Sequence, residues 1–170
     1  MCYILGLHTL SDGGDAEMSV SPAATALPQG WCALSLLHQR IEARIERALQ
    51  AGHGLSVREF SLLAVLSRQH DGPGGHLRMQ QVADALVLSQ SATTRLVSRL
   101  EDRGLLHRYL CATDRRGIYT DVTGAGLALL AEARPTNDGA LRAALDDAAA
   151  VPELAPLVAT VRELDGAAVG

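Results

Sequence analysis

A mainly helical fold with one small β-hairpin is what this sequence predicts, and three observations predict it. Aromatic side chains are confined to Tyr3, Trp31, Phe60, Tyr109 and Tyr119, so Leu, Val and Ala must fill the core, a composition that favours packed helices. Apolar residues recur at spacings of three and four through most of the chain. Only between residues 105 and 123 do two short β-prone runs flank a polar turn. The chain has 170 residues, 48% of them apolar, which is enough for one domain with a real core.

The elements follow in order. Residues 1–30 contain Gly13, Gly14, Pro22 and Pro28 among small polar residues and read as a flexible tail, with Met18 as an alternative start. The domain is expected to occupy 31–170. Trp31 to Leu49 reads as an amphipathic helix with Leu34, Leu37, Ile41, Ile45 and Ala48 on one face, ended by Gly52 and Gly54. Ser56 and Glu59 form a capping box, each satisfying the other's backbone donor, and open a helix to about Gln69. A glycine-rich loop at 71–75 leads to a possible short strand at Leu77–Met79. Gln80–Val87 makes a short helix, Leu88-Ser89 a turn, and Ser89 caps a helix over Gln90–Arg103 that stops at Gly104. Leu105–Cys111 and Gly117–Thr123 pair as a hairpin. Beyond it, Pro135 and Gly139 should kink or interrupt the next helical segment. Pro152-Glu153 starts a last helix with Leu154, Leu157, Val158, Val161 and Leu164 on one stripe.

Short helix, tight turn, capped helix and β-hairpin in that order define a winged helix-turn-helix. Its second helix has two distinct faces. At 100° per residue Thr93, Leu96, Val97 and Leu100 lie together, and Ser91, Thr94, Arg95, Ser98 and Arg99 lie opposite. Short hydroxyls let a helix approach bases closely, and arginine chelates guanine O6 and N7 or pairs with phosphate. The capped N-terminus, with Ser89 and Gln90, adds backbone donors for a phosphate. An ordinary solvated helix face is the plainer alternative, but this face holds no acid before Glu101 and Asp102. Arg115 and Arg116 at the hairpin tip suit a minor groove, and Asp114 suits fixing the turn itself.

Charge distribution agrees. The net charge is −4, yet from His76 to Thr120 seven Arg face four acids, and the acidic excess lies entirely outside that segment. No lysine occurs, so every cationic contact other than histidine must come from arginine. The two terminal stripes, Leu34/Leu37/Ile41/Ile45 and Leu154/Leu157/Val158/Val161, lie outside the reading motif and favour a helical homodimer interface. The expected organisation is a DNA-binding lobe over about 55–123 and dimerisation helices over about 31–50 and 124–166. Two copies of the reading helix would then meet a pseudo-palindromic operator in double-stranded DNA.

Residues 77–126 closely resemble the multiple-antibiotic-resistance regulator (MarR) family. The matching pieces are the run Ser91–Glu101, then Arg103-Gly104-Leu105, then Asp114-Arg115-Arg116, then Val122-Thr123 with Gly126. The resemblance implies a mostly helical dimer with one wing per subunit, a recognition helix on Ser89–Arg103 and a wing tip on Asp114–Arg116. It also implies a transcriptional regulator, commonly a repressor of nearby genes, released from DNA by a small and often phenolic effector. The longer N-terminal segment, the Pro135–Gly139 interruption and the scarcity of aromatics depart from the family pattern.

Other chemistry finds little support. Cys32, near the start of the first helix, and Cys111 read as packing thiols rather than redox centres. His70, Asp71 and His76 have poor spacing for a metal. No nucleophile elbow or phosphate loop occurs, so neither an enzyme nor a cofactor is expected. No apolar run of 18 residues is present; no membrane partner and a cytoplasmic location are expected. The competing function is a winged-helix protein-interaction module that does not read DNA.

Overall fold

A computed structural model describes residues 22–69, 77–110 and 118–167. Among these it has six helices and one two-stranded sheet: α1 (Pro22–His53), α2 (Val57–Leu66), α3 (Met79–Ala85), α4 (Gln90–Asp102), β1 (Leu106–Leu110), β2 (Ile118–Val122), α5 (Gly124–Ala149) and α6 (Ala155–Ala167). Two compact units divide the chain. One is Ile41–Ala144, and the other joins Met1–Arg40 with Leu145–Gly170, so the division falls inside α1 and α5.

The central unit carries the helix-turn-helix and the hairpin. Its core is mostly aliphatic: Leu49, Leu55, Leu62, Leu63, Leu66, Val97 and Leu100 are fully buried, with Phe60 and Tyr119 as buried aromatics. Helix boundaries follow local chemistry. Ser56 Oγ accepts from the Glu59 amide at 3.2 Å, and Glu59 Oε2 accepts from the Ser56 amide at 2.8 Å. Glu46 of α1 accepts from the Val57 amide at 2.7 Å, so a second carboxylate serves the same helix start. Helix α4 begins at Ser89, whose Oγ accepts from the Ala92 amide at 3.2 Å. It ends at Gly104, in the left-handed region at φ +71°, where the amides of Gly104 and Leu105 close onto Glu101 and Leu100.

Strands β1 and β2 pair antiparallel, with Leu106 opposite Val122 and Arg108 opposite Thr120. The turn between them, with Asp114, Arg115, Arg116 and Cys111, lies outside the described residues. Buried Gln69 ties the hairpin to the helices. Its amide nitrogen donates to the Thr120 carbonyl and to Asp121, and its oxygen accepts from the Leu77 amide.

In the other unit Leu37, Leu145, Ala148, Leu154 and Val158 are buried, and Arg162 pairs with Asp146. Leu27, Trp31, Leu34, Leu36, Val161 and Leu164 are exposed.

Four expectations need correction. The first helix starts at Pro22, not Trp31: proline is tolerated in a first turn, Ala23, Ala24, Ala26 and Leu27 are strong helix formers, and the helix continues through Pro28. Pro135 and Gly139 do not interrupt α5; buried Leu130, Ala133 and Ala140 anchor the segment on both sides of the missing amide, and packing overrides propensity. Leu77–Met79 is no strand: only Arg78 makes a bridge, to Tyr119, and Met79 already begins α3. The last helix begins at Ala155, after a turn in which the Leu154 amide bonds the Val151 carbonyl.

Candidate nucleic-acid interface

Helix α4 is held by one face. Thr93, Leu96, Val97 and Leu100 are buried, and the Thr93 hydroxyl donates back to the Ser89 carbonyl at 3.1 Å, which lets a polar side chain lie inside. The opposite face meets solvent. Ser89, Gln90, Ser91, Thr94, Arg95 and Arg99 are exposed, and Ser98 is half-buried.

The polar groups on that face are not equivalent. Thr94 donates its hydroxyl proton to the Gln90 carbonyl at 2.9 Å, so it presents a methyl group and acceptor lone pairs outward. Ser89 and Ser91 hydroxyls lie 3.2 Å apart at the helix start. The guanidinium groups of Arg95 and Arg99 have no hydrogen-bond or ion-pair partner among the described residues. Their neighbours differ: Arg103 pairs with Glu59 at 3.5 Å, and Arg108 pairs with Glu101 at 3.2 Å. Arg103 at the helix end and Arg108 on β1 are each paired with a carboxylate, whereas Arg95 in mid-helix and Arg99 in its last turn face solvent without one.

Arg108 is the residue that sequence reasoning missed. From β1 it donates to Ser98 Oγ at 2.7 Å while pairing with Glu101, so it links the hairpin to α4 and orients Ser98. No local signal reveals this, because the contact depends on how β1 passes the helix. The acidic end of α4, which marks the limit of the basic face in the sequence, is its partner. The site residues expected on the hairpin tip, Arg115, Arg116 and Asp114, lie outside the described residues, as do His70, Asp71 and His76. Cys32 is half-buried in α1. Among the described residues no helix is long and apolar enough to cross a membrane.

A capped helix with one buried face, its polar face open, followed directly by an antiparallel hairpin, defines a winged helix-turn-helix protein. Residues 53–117 match the MarR family model. The transcriptional regulator MhqR of Bacillus subtilis is 35% identical over 83 residues, 49% of this chain and 54% of its own. The chain spans about half the length of the curated relatives it matches. Among solved structures, Sco3205, a MarR family regulator from Streptomyces coelicolor crystallised with DNA, superposes with a TM-score of 0.64 at 23% identity, over 89% of this chain and 94% of that one. CouR from Rhodococcus jostii, crystallised with p-coumaroyl-CoA, gives a TM-score of 0.58 at 28% identity, over 77% of this chain and 85% of that one.

Proposed function

We propose that this chain is a sequence-specific DNA-binding transcriptional regulator, acting in the cytoplasm as a homodimeric repressor that a small ligand releases from its operator. One observation carries the reading: Arg95 and Arg99 stand unneutralised on an exposed face otherwise made of hydroxyls and one amide. Arginine at that position chelates guanine or pairs with phosphate, and the hydroxyls permit close approach. Ser89, Gln90, Ser91, Thr94 and Ser98 complete the reading face, and Arg115 and Arg116 enter the neighbouring minor groove, with Asp114 fixing their turn.

The dimer reading rests on apolar exposure. Leu27, Trp31 and Leu164 are 84%, 67% and 68% exposed, more apolar surface than a lone chain gains from showing. A second copy covering it would give the protein two α4 helices, and paired reading helices meet half-sites about one DNA turn apart, roughly 34 Å. Ligand control is supported by relatives: CouR binds p-coumaroyl-CoA, and BpsR of Bordetella bronchiseptica is regulated in its DNA binding by 6-hydroxynicotinic acid.

The test is a footprint on DNA upstream of the chain's own gene, with and without aromatic acids, repeated with Arg95→Ala. A protected pseudo-palindrome that fades with the substitution and with one of the acids is the expected result. Absence of any salt-sensitive DNA binding would instead favour a protein-interaction module.

A further inference from the structure

The turn from α3 to α4 contains a residue that neither the core nor the local backbone calls for. Val87 has φ +52° and a side chain 89% exposed. A residue branched at Cβ is strongly disfavoured in the left-handed region, because the branch crowds its own backbone. Among the described residues the two other positive-φ positions, Gly54 and Gly104, are both glycine.

The turn does not depend on this side chain. The Val87 and Leu88 amides donate to the Asp84 and Ala83 carbonyls at 3.2 and 3.0 Å. Leu86, buried, and Leu88, half-buried, supply the packing on either side. The valine therefore strains the backbone and exposes two methyl groups to water, with no return inside the molecule. Two residues further on, Ser89 caps α4. Val87 thus stands beside the end of the helix that helix-turn-helix proteins direct at base edges. The apolar feature a major groove offers there is the C5 methyl of thymine.

We infer that Val87 is a specificity residue that packs its methyl groups against a thymine methyl next to the bases met by Ser91 and Arg95. The inference rests on the DNA-binding reading. A side chain stiff at χ1, on a backbone fixed by two hydrogen bonds, has little freedom left to lose on docking.

The test uses the duplex that the wild-type chain recovers from a randomised pool, with each thymine replaced singly by deoxyuridine to remove its methyl. Val87→Asn suits the left-handed region and removes the apolar branch. It should melt at the same temperature or higher, yet bind about fourfold more weakly per half-site, the effect of roughly one buried methyl. The wild type and Val87→Ile should lose a similar factor at one thymine per half-site, and Val87→Asn should lose nothing there. Equal affinity of Val87→Asn and wild type overturns the inference, as does a lower melting temperature, which would give the valine a structural task. It also fails if no thymine methyl distinguishes the two proteins, a result that would move the contact to a sugar. A wild-type chain that recovers no duplex overturns the DNA-binding reading itself, and this contact with it.

Discussion

Gly126 sits where β2 gives way to α5, and a Cβ there would lie 2.3 Å from the Leu105 carbonyl oxygen and 2.7 Å from a Val122 methyl. The first of these is backbone and cannot swing aside. Gly126→Ala is therefore expected to destabilise the fold by about 1–3 kcal/mol or more, as overpacking does, read as a lower denaturation midpoint in urea. Gln69 makes the opposite kind of demand. It satisfies the Leu77 amide and the Thr120 carbonyl inside the protein, and Gln69→Leu strands both. The expected loss is about 1–3 kcal/mol per stranded group at most, measured in the same way. Arg95→Ala belongs to neither class. With no partner among the described residues, it should leave stability unchanged while weakening specific DNA binding by about 1–3 kcal/mol and lowering the salt slope by about one if it meets a phosphate. Titration at several salt concentrations checks both.

At the scale of elements, what the sequence reveals is what local chemistry determines. Ser56 with Glu59, Ser89, and Gly104 mark helix ends because each acts on amides or carbonyls within four residues of itself. The two faces of α4 are equally readable, since a helical period alone separates Leu96, Val97 and Leu100 from Ser91, Thr94 and Arg95. Tertiary effects are not readable in this way. Pro135 looks like a helix end to any local rule, yet α5 passes through it. Pro135→Ala restores an amide donor to that helix and should stabilise the fold, by up to about 3 kcal/mol in an exposed interior position, read as a higher thermal midpoint. The link from Arg108 to Ser98 and Glu101 is invisible for the same reason. Arg108→Ala should weaken DNA binding without removing a direct contact, by freeing Ser98 and unmasking the Glu101 carboxylate. Comparison with the double variant Arg108→Ala/Glu101→Gln separates the two effects: recovery of affinity assigns the loss to the carboxylate.

At the scale of the whole molecule, the reading arginines and most of the exposed large apolar side chains fall in different units, Val87 and Leu127 excepted. Arg95 and Arg99 belong to the central unit, and Leu27, Trp31, Leu34 and Leu164 to the other. The two functions should therefore be separable by substitution. Leu34→Glu with Leu164→Glu is expected to shift sedimentation from dimer to monomer, and to lower operator affinity only through loss of the second half-site. A variant that stayed dimeric would place the interface elsewhere. The acidic total charge fits this division, since the basic excess is confined to residues 76–120, the segment proposed to face nucleic acid.

Thr123 joins the hairpin to α5 with no spare residue. Its hydroxyl donates to the Gly104 carbonyl at 2.7 Å and accepts from the Gly126 amide at 3.1 Å, so one side chain clasps the end of α4, the foot of β2 and the first turn of α5. Within the central unit, a displacement of the first turn of α5 would therefore bear on the hairpin and on the tail of α4 through this one side chain.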